Sequence, residues 1–161
     1  MATRLTHVVT YRHCPTVGDV SGEMQLTNHM LAVRENVLIR WSALSPAEVQ
    51  RSIKLAKYTA ARYGKVHFFA VISPTCSLPD AESRKTLSDN MSKMTEYCAS
   101  MSVVIEGRGL KVATLRSVSA SFLLFADKNM HVWSSLSEAV ATLRVKEAED
   151  ILAQATAAGI A

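Results

Sequence analysis

Aromatic residues are scarce, at 6% of 161 positions, and the basic surplus of +4 is spread along the chain rather than gathered in a stripe. A nucleic-acid interface combines clustered Lys and Arg with interleaved aromatics, so this composition argues against one. Cysteine is also sparse. Cys14, Cys76 and Cys98 are an odd number without paired spacing. A secreted domain of this size would show an even disulfide framework, so scattered thiols imply a reducing, cytoplasmic setting. Neither these thiols nor the isolated His29, His67 and His131 show the close pairing that pre-positions two metal donors, so no metal and no cofactor is expected. Long hydrophobic runs are missing too. The stretch from Ser121 to Ala126 is too short to span a bilayer, and Arg4, His7, Arg12 and His13 interrupt any signal-peptide core. There is no internal repeat, low-complexity tract or convincing linker, so one folded unit is expected: an extension over 1–29 and a domain over 30–161.

What is present suits a packed core. Apolar residues make up 48% of the chain and charged ones 20%, and a chain of this length can bury a core without disulfides or metals. Thr6 to Tyr11 reads as a strand, followed by a loop-rich stretch with Pro15, Gly18 and Gly22. Met30 to Trp41 reads as a hairpin turning at Arg34 to Asn36, with Asn36 as the residue that tolerates positive φ. Ser45, Pro46 and Glu48 make a capping-box helix start, with Val49, Ile53, Ala56, Ala60 and Tyr63 on one face and Gly64 as the stop. Val66 to Ile72 is a continuous apolar run, the pattern of a strand covered on both sides.

A loop from Ser73 to Pro79 leads to a second helix from about Asp80, with Leu87, Met91, Met94 and Cys98 on its apolar line. Met101 to Ile105 is a strand. A third helix carries Val112, Leu115, Val118 and Phe122, and His131 to Trp133 is the last strand. Ser135 and Glu138 form a second capping box, and Lys146 to Ala158 continues in helix-forming residues. The order predicts an α/β domain: a mixed, mostly parallel sheet with an N-terminal hairpin and about four helices joined by right-handed crossovers.

Two local features carry possible chemistry. Cys76 lies just before a helix N-terminus, which favours a thiolate, but no base can be assigned to it; its alternative is an unreactive loop thiol. Gly107, Arg108, Gly109 and Lys111 read either as a small anion cradle or as a plain strand-to-helix turn. In open parallel sheets ligands collect at the carboxyl ends of strands, where Ser73 to Ser77 (with Thr75 and Cys76), Glu106 to Gly109, and Ser134 and Ser135 would all gather. Met91 and Met94 read as flexible core filler before they read as a lipid pocket. His67 reads as a hydrogen-bonded structural histidine.

The element order resembles that of STAS domains, the family of the bacterial anti-sigma-factor antagonists. The stretch from Val103 to Gly107, the following helix, and His131 to Val140 resemble that family's closing pattern, and Pro79 to Arg84 looks like the helix start of its SpoIIAA-like branch. That branch is similar in turn to the CRAL-TRIO lipid-binding fold. The resemblance covers roughly residues 30 to 145. It implies a non-catalytic regulatory or scaffolding protein that binds a protein partner through Ser77, Asp80, Glu82, Ser83 and Arg84. The family's phosphoacceptor Ser or Thr is missing, because the matching positions read Asp80, Ala81 and Glu82. The alternative is a carrier or sensor holding a nucleotide, a phosphorylated compound or a lipid. Trp41 and the strand around Tyr11, placed on an uncovered edge or face, would allow a homodimer.

Overall fold

The computed structural model describes residues 8–10, 29–43, 45–123, 129–143, 145 and 147–161; the side chains of 8–10, 91–92 and 121–123 are not described. Readings that fall on Tyr11, Cys14, the loop around Gly18, 124–126 and Lys146 therefore lie outside the described residues, as do those on the side chains of Met91 and Phe122.

Among the described residues six strands form one sheet in sequential order: β1 (Val8–Thr10), β2 (His29–Val33), β3 (Asn36–Trp41), β4 (Val66–Ile72), β5 (Cys98–Ile105) and β6 (Met130–Trp133). The first two pairings are antiparallel and the other three parallel. The crossovers are α1 (Pro46–Tyr63), α2 (Ala81–Met94) and α3 (Leu110–Leu123), and the chain closes with α4 (Leu136–Thr142) and α5 (Ala148–Ala157). The strand order never reverses, so right-handed crossovers put α1, α2 and α3 on one face. Val49, Ile53, Met94, Val112 and Leu115 accordingly share a core with Val37, Ile39, Phe68, Ala70, Met101 and Ile105. The opposite face, with Leu38, Phe69, Val71 and Val104, packs on Leu136, Val140, Ile151 and Ala155 of α4 and α5. The continuous apolar run of β4 is thus covered on both sides, as its composition implies.

Local chemistry explains the boundaries. Ser45 and Ser135 cap their helices by accepting from the N–H groups of Glu48 and Glu138 at 3.3 and 3.2 Å. The acidic halves of the expected capping boxes act elsewhere. Glu48 binds Arg51 at 2.8 Å, and Glu138 takes the N–H and hydroxyl of Ser134, one residue further out. The closing segment divides into two helices because α4 ends in a 6→1 bond from Val145 N–H to the Val140 carbonyl at 3.2 Å, and buried Val145 anchors the break. Gly159 ends α5 at φ +70, and Ile160 donates to the Ala155 carbonyl at 2.8 Å.

Several sequence readings are corrected. The hairpin turns on two residues, Arg34 and Glu35, and Arg34 carries the positive φ of 52 while Asn36 lies buried in β3. Arg34 then pairs at 2.7 Å with Glu147, another left-handed residue at φ 61, tying the hairpin to the start of α5. Tyr63 points outward at the end of α1, its ring under the Arg62 guanidinium at 5.4 Å. Cys98 belongs to β5 rather than to α2. A register shift leaves Ala99 unpaired between Cys98 and Ser100, and this bulge turns Cys98 toward Met94 and the helix-covered core. Trp41 is only 6% exposed, its indole N–H donating to Ser52 at 3.3 Å, so its side chain offers no surface for self-association.

Candidate functional site

The candidate site is an apolar cavity of about 120 Å³ between the sheet and helices α2 and α3. Its floor is Phe68, Ala70 and Ile72 of β4 with Met101 and Val103 of β5. Leu87, Ser88 and Met94 of α2 line one side, Leu115, Val118 and Ser119 of α3 the other, and Trp41 and the loop Cys76–Pro79 complete the wall. The space exists because α2 packs chiefly along α1, whereas α3 packs on β5 and β6, so the two helices diverge. Small residues keep it open: Ala70 sits at mid-strand, and Ser88 and Ser119 occupy helix positions where larger side chains would interlock. A cavity near 150 Å³ lined by Leu, Ile and Phe stays dry and holds benzene, so this one suits an apolar group of about that size.

The loop from Ser73 to Pro79 forms the upper lip. Ser73 is buried, its amide donating to the Trp41 carbonyl at 2.9 Å and its hydroxyl lying 2.8 Å from that of Thr75, so both hydroxyls serve the turn. Cys76 is fully buried in the cavity wall and its thiol donates to the Ser77 carbonyl at 3.3 Å. Burial pushes that thiol up, with Lys111 partly opposing, so the helix start does not make it a thiolate. Cys98, buried in the core, is pushed up to about 12 by desolvation.

Asp80 caps α2 by accepting from the Ser83 N–H at 2.7 Å, and these hydrogen bonds hold its carboxyl below the usual carboxylate range. The expected partner surface therefore loses a member. Ser83 is fully buried, whereas Ser77, Asp80, Glu82 and Arg84 are exposed. Leu78, 54% exposed beside them, was missed by sequence reasoning.

Gly107 and Gly109 take φ of +98 and +108, which explains two glycines in a strand-to-helix turn on backbone grounds alone. Arg116 reaches back to the Ile105 carbonyl at 2.7 Å and to that of Gly107 at 3.3 Å, fastening the turn. Arg108 and Lys111 are exposed above it, and Pro74 lies against Gly107, so the turn and the lip touch. Because the parallel strands never change direction, no switch-point crevice opens at their carboxyl ends; the cavity under α2 takes that place.

On the other face, His67 Nδ1 lies 2.7 Å from the Ser100 hydroxyl and the Trp133 indole N–H donates to Ser102 at 3.0 Å. Burial lowers the His67 pKa, with Glu35 opposing. The unfolded chain then binds the proton at a higher pH than the folded one, so stability is full above about pH 6.5 and falls as pH drops through the folded value. Urea midpoints of His67→Gln are expected to fall less than those of the wild type between about pH 7 and about pH 5. Parallel curves would mean that His67 does not titrate differently on folding.

Among the described residues, no three His, Cys, Asp or Glu side chains cluster as a metal site, and no helix is long and apolar enough to cross a membrane. No protein-family model, curated protein or solved structure matches the chain.

Proposed function

We propose that this chain is a non-catalytic binding domain, a carrier or sensor that holds a small apolar molecule between its sheet and helices α2 and α3. The cavity itself carries this reading: a wall of Phe68, Ala70, Met94, Met101 and Leu115 offers dispersion contacts and little to orient a reaction. The buried, protonated thiol of Cys76 also fits a binding role better than nucleophilic catalysis. Benzene is the simplest probe. It is expected to raise the melting temperature by about 3–6 °C at about ten times its Kd, saturably. In amide-resolved NMR, shifts should concentrate on β4, β5, α2 and α3. Absence of saturation, or shifts spread evenly over the chain, would overturn the reading.

A second reading follows the STAS-like resemblance, with the chain as a regulatory module docking a protein partner on the lip. The exposure of Leu78 beside exposed Ser77, Glu82 and Arg84 supports it, because a partner covering the lip would bury that apolar side chain. A purified partner from native extract should lose affinity for Leu78→Asp by about tenfold or more. An unaffected complex would exclude this lip as the docking surface.

A further inference from the structure

Helical spacing places one cation at the cavity mouth. Leu115, Val118 and Ser119 of α3 line the cavity, and Lys111 lies one turn before Leu115 on the same stripe. Its ammonium therefore belongs to the rim, on the side where Pro74 of the lip meets Gly107. The influence of Lys111 on the buried Cys76 thiol agrees with that placement.

The α3 side of the rim is short of negative charge, the exposed Asp80 and Glu82 lying on the α2 side. The first turn of α3 holds no acidic residue. Glu106 lies 4.0 Å from Arg40, and the Asp80 carboxylate is held by the first turn of α2. Among the described residues, neither Lys111 nor Arg108 has an ion-pair partner.

Resting on the carrier or sensor reading, the geometry points to a specific class of ligand: a small amphipathic carboxylate, with a ring or short branched chain in the cavity and the carboxylate at Lys111 on its rim. The apolar part is limited by the volume of about 120 Å³, close to that which holds a benzene ring. The anionic end follows from the unpaired cation on a stripe whose next turns are apolar. A carboxylate there keeps its solvation on one side and gains a charge-assisted hydrogen bond on the other.

Phenylacetate and its neutral isostere phenylacetamide are the probes, titrated calorimetrically against the full chain and against Lys111→Met. Lys111 is exposed, so the substitution leaves the core unchanged. Phenylacetate is expected to bind the wild type about tenfold more tightly than the amide, and Lys111→Met to erase that preference while sparing benzene and amide binding. Equal affinity for acid and amide, or a preference that survives Lys111→Met, would overturn the carboxylate inference and leave the cavity reading standing. Failure of benzene, acid and amide alike would overturn the cavity reading itself.

Discussion

Phe69→Ala is expected to lower the unfolding free energy by about 3–5 kcal/mol, the range for deleting a buried aromatic ring. Phe69 is fully buried on the central strand β4, among Leu38, Val71, Val104 and the α4–α5 layer. A loss of that size is a large part of the roughly 5–15 kcal/mol that holds a typical domain together. It should appear as a fall in the urea midpoint with unchanged slope. Phe68→Ala makes the internal control. Its ring lies one residue away on the opposite face, against the cavity, where empty space already deprives it of contacts on one side. The expected cost is smaller by about 1 kcal/mol or more. Equal costs would mean that the cavity does not exist in solution as described.

Ala70→Phe is expected to abolish benzene binding, weakening it by about a hundredfold or more, while the protein stays folded. Ala70 lies on the cavity floor, and a phenyl ring built there takes up most of the roughly 120 Å³ that a ligand would use. In a filled core such an enlargement costs about 1–3 kcal/mol through strained rotamers. Here the ring enters empty volume, so stability should change by less than about 1 kcal/mol or rise. Retained benzene binding would place the ligand elsewhere. Unfolding would show that the cavity cannot accept the ring; the same titration on Ser119→Leu, which narrows the α3 side, then decides the point.

Much of the architecture was legible because its signals are local. Ser45 and Ser135 announce helix starts through a single hydroxyl-to-amide contact, and Gly64 and Gly159 mark helix ends through positive φ. The apolar run from Val66 to Ile72 identifies the central strand, since no half-exposed element tolerates it. Several of the failures depended on a partner distant in sequence. Arg34 takes the left-handed conformation in the two-residue turn, and its guanidinium pairs with Glu147, far along the chain. The Ala99 bulge arises in pairing with β4 and reverses the face that Cys98 presents, which a period-two reading cannot foresee. Trp41 is buried because α1 folds back over it and Ser52 receives its N–H.

The candidate site divides the same way. The lip at Ser73–Pro79 and the turn at Gly107–Lys111 meet at one end of the sheet, because parallel strands deliver their carboxyl ends together. Which residues are exposed was not readable, since nothing local distinguishes buried Ser73 and Ser83 from exposed Ser77.

By itself the sequence determined the order and type of the elements, the helix caps and the two-sided burial of β4, all of which follow from interactions within a few residues. Only the tertiary structure decided that α2 and α3 diverge over Ala70 and that Met94, part of the buried core, also lines a cavity. Those outcomes depend on how whole helices seat against a shared sheet, and packing between surfaces is a property of pairs that no single segment encodes.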